Sequence, residues 1–122
     1  MNEKEKQKIE EEYDSHRLAN QKALERIEEQ KHKLEIIGED IPYFKKKVLD
    51  FINESVGGEE EEQNRRELEY FEEDIMQELR VDEQEWERQY QELEEEKKQL
   101  YRKEDNEKDR YDEQMKRITQ ED

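Results

Sequence analysis

Apolar side chains recur along most of this chain in alternating steps of three and four residues. Such steps place apolar residues on one stripe of an α-helix, and they are typical of helices wound around one another. One series precedes a glycine pair near the middle of the chain and a second follows it. Including the polar residues that interrupt them, the first consists of Ile9, Tyr13, His16, Asn20, Ala23, Ile27, Gln30, Leu34, Ile37, Ile41, Phe44, Val48 and Phe51, and the second of Leu68, Phe71, Ile75, Leu79, Asp82, Trp86, Tyr90, Leu93, Lys97, Leu100, Glu104, Glu107, Tyr111, Met115 and Ile118.

The composition leaves few alternatives to long helices. Charged residues make up 52% of the chain and hydrophobic ones 28%, whereas ordinary domains have about 25% and 45–50%. Ordering each residue costs roughly 1–2 kcal/mol of backbone entropy, which so few apolar groups cannot offset in a compact globule. The remaining possibilities are disorder or helices that share one apolar stripe. One proline, three glycines and the regular spacing favour the helices.

A glycine pair marks the turn between the two series. The segment Ser55-Val56-Gly57-Gly58 is a strong turn signal, and glycine readily ends a helix. The acidic run that follows suits a helix N-terminus, which favours negative charge. The sequence therefore predicts an all-α fold, a long antiparallel helical hairpin forming a single domain over residues 1–122. Helix one is expected at about 3–55, the turn at about 56–63 and helix two at about 64–119.

A second interruption lies in the segment Gly38-Glu39-Asp40-Ile41-Pro42. Proline lacks the backbone donor and disfavours helical geometry at the preceding residue. The first series keeps its phase across this segment. A break or kink near Pro42 is therefore expected, with an undisturbed helix as the alternative.

Several functional classes lack the residues that they require. The chain has no cysteine, a formal charge of −17 and only His16 and His32 as histidines. These features disfavour disulfides, metal sites and nucleic-acid binding. No signal-peptide core or membrane-length apolar run is evident, and no catalytic motif or phosphate loop is found. We expect a cytoplasmic, non-enzymatic protein without cofactor, nucleic-acid partner or membrane partner.

The charge is unevenly distributed along the chain. Residues 1–56 carry 14 acidic and 11 basic side chains, whereas residues 57–122 carry 26 and 12. An acidic second half is expected to be a solvated surface that keeps the protein soluble. An acidic inhibitor that imitates nucleic acid is an alternative function for such a surface.

The largest apolar side chains concentrate on both sides of the predicted turn. Leu49, Ile52 and Met76 lie beside the two series, so this region is wider than one helix pair needs. They form either a wide core or a surface for further helices, and the second interpretation predicts a partner-binding site. Its residues are Tyr43, Phe44, Val48, Phe51, Ile52, Leu68, Phe71, Ile75, Met76, Leu79 and Trp86.

Several segments resemble one known family. They are Tyr43-Phe44-Lys45 through Phe51, the segment from Gln91 to Lys97 and on through Leu100-Tyr101, and then Glu104-Asp105 and Arg110-Tyr111. Over roughly residues 30–120 the layout is similar to the second class of LXG-associated alpha-helical proteins. These are encoded in Gram-positive bacteria beside LXG toxins of the type VII secretion system.

The resemblance implies a targeting factor or chaperone. Such a protein binds the helical N-terminal domain of an LXG toxin, together with a second small helical protein, and is either retained in the cytoplasm or co-exported with the toxin. A homodimeric coiled-coil scaffold is the main alternative function, because a second copy of the chain could also cover the apolar residues near the turn.

Overall fold

Two α-helices packed as a hairpin make up the part of the chain that the computed structural model describes. Its description covers the backbone of residues 2–57 and 62–121 and the side chains of residues 2–54 and 65–120. Helix α1 is Asn2–Gly57 and helix α2 is Glu62–Glu121, with no strand in these ranges. The predicted all-α hairpin is therefore confirmed. Of the turn predicted at residues 56–63, residues 56–57 and 62–63 are helical, and residues 58–61 lie outside the described residues.

Charged and amide side chains reinforce both helices along their exposed faces. Gln7 donates a hydrogen bond to Glu11 at 3.0 Å, and Arg117 donates one to Glu113 at 2.9 Å. Pairs four residues apart stabilise a helix by about 0.2–0.5 kcal/mol each. The charge content thus contributes to helix formation. Within the described residues, neither helix contains a stretch apolar and long enough to cross a membrane.

Helix α1 continues through Pro42, so the expected break is absent. A proline inside a helix removes one backbone hydrogen bond and costs about 3 kcal/mol or more. Packing against α2 offsets this cost, because Ile41 is half-buried beside Pro42 and Gly38 is covered by Trp86. Tertiary contacts therefore outweigh the local preference of the proline.

The described contacts divide the hairpin into two units, and the first comprises Met1–Gln30 and Glu92–Asp122. Ile27, Leu93, Leu100 and Ile118 are its buried apolar residues. The helices are antiparallel within it, since Glu28 meets Lys97 at 2.6 Å while Tyr13, earlier in α1, stacks on Tyr111 with ring centroids 4.3 Å apart.

Burial and nearby carboxylates affect the Tyr111 hydroxyl in this stack. Desolvation first, and then the negative charges of Glu10 and Asp14, raise the pKa of Tyr111 above its ordinary value. The Tyr111 hydroxyl therefore remains protonated at physiological pH.

A polar layer interrupts the apolar seam of unit 1. Asn20 is 2% exposed, and its Nδ2 donates a hydrogen bond to Glu107 Oε2 at 3.2 Å. His16 Nδ1 lies 3.8 Å from the same oxygen, while the buried Oε1 of Glu107 has no hydrogen-bond partner. A buried polar pair of this kind favours one register of paired helices, because sliding one helix past the other would separate the partners.

The second unit, Lys31–Gln91, is organised around Trp86. The indole Nε1 donates a hydrogen bond to the Leu34 carbonyl oxygen at 2.5 Å. The ring lies directly on Gly38, where an added Cβ would meet Trp86 Cζ2 at 2.7 Å and Cε2 at 2.9 Å. Glycine is therefore required at this position for α2 to bring its tryptophan so close to the α1 backbone.

A column of side chains extends from Trp86 along the same seam. Tyr90 stacks on Trp86 with ring centroids 5.4 Å apart. Lys31, only 8% exposed, places its Nζ 5.2 Å from the centre of the Tyr90 ring. A desolvated cation over an aromatic ring is attracted by the ring's negative face, so a lysine is accommodated in a seam where an apolar residue would be expected.

The predicted seam of α1 requires a correction from Gln30, the last α1 residue of unit 1, onward through unit 2. From residue 30 onward the spacing predicted that Gln30, Ile37, Phe44 and Phe51 would face α2, but all four are exposed. The following residue in each case, Lys31, Gly38, Lys45 and Ile52, is buried or half-buried instead. Helix α1 is therefore rotated from the predicted phase, and Ile52, at 1% exposure, belongs to the core.

The packing of Trp86 on Gly38 predicts that Gly38→Ala destabilises the protein. Alanine gains about 1 kcal/mol of helix propensity, but its methyl group overlaps a rigid ring, and overpacking costs about 1–3 kcal/mol. Loss of the indole hydrogen bond adds about 0.5–1.5 kcal/mol. We expect the free energy of unfolding, measured by urea denaturation, to fall by about 1–3 kcal/mol. In a Trp86→Ala background the same change should be stabilising, and stabilisation in both backgrounds would contradict the contact.

The polar layer of unit 1 predicts opposite effects of a single and a double substitution. Asn20→Leu removes the donor from a partly buried carboxylate and should lower the free energy of unfolding by about 1–3 kcal/mol. Asn20→Leu combined with Glu107→Leu replaces the pair by apolar groups and should raise it by about 1–4 kcal/mol. Thermal unfolding, monitored by circular dichroism, distinguishes the single variant from the double variant. Equal stabilisation by both variants would mean that the hydrogen bond contributes nothing.

Candidate functional site

Helix α1 carries a stripe of large apolar side chains that α2 does not cover. Ile37, Phe44 and Phe51 are 51%, 56% and 61% exposed. They are spaced seven residues apart, so they lie above one another on the same side of the helix. Phe71 of α2 is 47% exposed. These four residues are called the apolar face below.

All four residues of the apolar face lie on one side of unit 2. Each of them directly precedes a residue of the seam between the helices, as Phe51 precedes Ile52 and Phe71 precedes the half-buried Glu72. One residue corresponds to a rotation of about 100° around a helix. Because the two helices are antiparallel, residues that precede seam positions on both helices point to the same side of the pair. The apolar face therefore flanks the groove between α1 and α2.

The α2 side of this groove is acidic beyond Phe71. Asp74, Glu78, Asp82 and Glu85 also precede seam positions, and all four are exposed. Hydrogen bonds from Arg88 first and then from Gln89 lower the pKa of Glu85 to about 2, which keeps this carboxylate ionised under ordinary conditions. The groove is thus apolar along α1 and negatively charged along α2.

The residues predicted to bind a partner fall into three classes of exposure. Ile52 and Leu79 are buried and contribute to the packing between the helices. Trp86 is half-buried and held by its bond to the Leu34 carbonyl. The exposed members are Tyr43, Phe44, Phe51 and Phe71, and the half-buried ones are Val48, Leu68, Ile75, Met76 and Trp86.

Ile37 belongs to the exposed stripe but was not among the predicted site residues. It had been assigned to the seam that faces α2. Its signal in the sequence is its distance from Phe44 and Phe51, which it precedes by one and two heptads. Conversely, Leu49 and Met76 are half-buried and Ile52 is buried, so these flanking residues form a wide core rather than an open surface.

The described residues contain no group of three or more His, Cys, Asp or Glu side chains arranged to hold a metal ion. Comparison with protein-family models, curated proteins and solved structures finds no match to this chain. The geometry and charge of the groove are therefore the features of the described residues that point to a function.

Substitutions at two neighbouring residues of α1 test which side of this helix faces α2. Ile52→Ala removes a fully buried side chain and should lower the free energy of unfolding by about 2–5 kcal/mol. Phe51→Ala, at the adjacent and exposed position, should change it by less than about 0.5 kcal/mol. Chemical denaturation of the two variants measures the difference. A larger loss from Phe51→Ala would mean that α1 has the phase predicted from the sequence.

Proposed function

We propose that this protein is a non-enzymatic helix-binding protein, and that its partner places an amphipathic helix on the apolar face of unit 2. The observation that carries the proposal is the exposed stripe of Ile37, Phe44 and Phe51 beside the equally exposed Phe71. Soluble monomers rarely leave such side chains exposed together unless they serve an interaction.

Burial of these side chains supplies the binding energy. Fully burying a phenylalanine or isoleucine side chain is worth about 1.5–3 kcal/mol. Aromatic residues are also the usual anchors of protein interfaces. Heptad spacing on α1 matches a helix as the partner, since a helix presents apolar residues at the same intervals. Such a helix would complete a small bundle with α1 and α2.

The acidic row on α2 restricts the chemistry of the partner. A helix in this groove would face Asp74, Glu78 and Asp82 on one side and the apolar stripe of α1 on the other. Complementary charge favours partner residues that are basic beside the acidic row, and it increases the association rate. The expected partner helix therefore has an apolar stripe bordered by lysine or arginine on one side.

The resemblance described above favours the helical N-terminal domain of an LXG toxin as that partner. In this proposal the chain is a targeting factor or chaperone of type VII secretion, acting in the cytoplasm with a second small helical protein. The apolar face supports this function better than imitation of nucleic acid, which needs the acidic surface but has no use for exposed phenylalanines.

Co-expression with the helical N-terminal domain of an LXG toxin tests the proposal. Phe44→Glu and Phe71→Glu should each weaken binding, measured by calorimetry, by about thirtyfold or more, as expected for an interface anchor worth at least about 2 kcal/mol. Their circular dichroism should be unchanged because both residues are exposed.

Val81→Glu provides the matched control for this experiment. Val81 is 53% exposed, like the two phenylalanines, but it lies on the side of α2 that faces away from α1. The Val81→Glu variant should bind the toxin domain as the wild type does. Unimpaired binding by both phenylalanine variants, or failure of the wild type to bind, would refute the proposal.

A further inference from the structure

We infer that a second copy of this chain covers the exposed stripe of α1 when no other partner is bound. In the inferred dimer the two α1 helices are antiparallel, and a two-fold axis lies level with Phe44. This inference uses part of the same surface as the proposed function, but it holds or fails independently of the toxin.

The order of apolar residues around Phe44 supports this arrangement. A two-fold axis places each residue opposite one that is equally far from the axis in the other direction. Phe44 then faces Phe44 of the second copy, and Ile37 faces Phe51 of the second copy. Tyr43, 61% exposed, lies beside its own counterpart. The contact centre is therefore aromatic on both copies.

Charged residues along the same part of α1 follow this symmetry to within one residue. Asp40 lies four residues before the axis and Lys47 three residues after it, while Lys33 lies eleven before it and Glu54 ten after it. An antiparallel pairing thus sets Asp40 within one residue, or about 1.5 Å of helix rise, of the level of Lys47 of the second copy. Lys33 lies at the same small offset from Glu54 of the second copy. A parallel pairing would instead set Asp40 against Asp40 and Lys47 against Lys47, which is unfavourable.

The difference in charge between the two helices of unit 2 also favours α1 over α2 as the dimer surface. Residues 31–54 carry five acidic and five basic side chains, whereas residues 65–91 carry ten and four. The α1 segments of two copies can therefore approach without net like-charge repulsion between them, although the whole chain carries −17. An α2 contact would bring two strongly acidic surfaces together.

Sedimentation equilibrium of the purified full chain tests the dimer and its charge pairs. The wild type should show a concentration-dependent monomer–dimer equilibrium. Asp40→Lys and Lys47→Asp should each raise the dimer Kd by about tenfold or more, because the symmetry repeats each lost pair twice. The double variant Asp40→Lys/Lys47→Asp should dimerise as the wild type does, and a mixture of the two single variants should form a heterodimer.

Two outcomes of this experiment would overturn the inference. One is a wild type that stays monomeric at all concentrations, and the other is a pair of single variants that dimerise as tightly as the wild type. Val81→Glu serves as the control and should leave the equilibrium unchanged. Circular dichroism of each variant verifies that the helices are retained.

Introduced cysteines test the direction of the paired helices, since the natural chain has none. A mixture of Ile37→Cys and Phe51→Cys chains should form a disulfide between the two variants under mild oxidation. Preferential linking of Ile37→Cys chains to each other would show a parallel pairing and contradict the two-fold arrangement. If the wild type bound the toxin domain but did not dimerise, this inference alone would be refuted. If it dimerised but did not bind the toxin domain, only the proposed function would be refuted.

Discussion

The contact between the Trp86 indole and Gly38 fixes the rotation of α1 in unit 2. A large planar ring can lie on a helix backbone only where no side chain intervenes, and any Cβ at residue 38 would overlap it. The indole also needs an acceptor for its N–H, and the Leu34 carbonyl one turn earlier supplies it. Turning α1 so that Ile37 faced α2 would remove both of these interactions.

The exposed stripe is a direct consequence of that rotation. With Gly38 and Ile52 in the seam, the residues immediately before them must point to the side of the hairpin, and these are Ile37 and Phe51. The seam of unit 1 contains instead the Asn20–Glu107 hydrogen bond. Unit 1 also leaves fewer large apolar side chains exposed among the described residues. Polar pairing specifies register in one unit, and steric complementarity specifies helix rotation in the other.

Much of the fold could be predicted from spacing alone, because helix formation and hairpin pairing depend on periodic, local features. The predicted seam of α2 agrees with the observed one at most positions, including Leu79, Leu93, Leu100 and Ile118. The phase of α1 after Ile27 could not be predicted in this way. Leu34, Ile41 and Val48 occur in both possible seams, and the choice between them depends on a contact between residues far apart in the sequence. The continuity of α1 at Pro42 has the same origin.

The candidate site was predicted in part for the same reason. Phe44, Phe51 and Phe71 were identified because large aromatic residues concentrate near the turn, whereas Ile37 was missed and Ile52 was included because the rotation was assigned incorrectly. Exposure depends on rotation, and a one-residue change in the seam exchanges a buried residue for an exposed one. Composition indicates how much apolar surface is available, but only packing determines which residues carry it.

The two proposed occupants of the α1 stripe differ in their electrostatics, and this difference determines which of them prevails. A second copy presents its own α1, whose charges between residues 31 and 54 are balanced, so it gains little from the acidic row of α2. A partner helix with a basic edge contacts the stripe and the acidic row together. Such a helix can therefore displace the second copy even if both bury the same phenylalanines. In this scheme self-association protects the exposed rings, and the charge of α2 provides the selectivity for the partner.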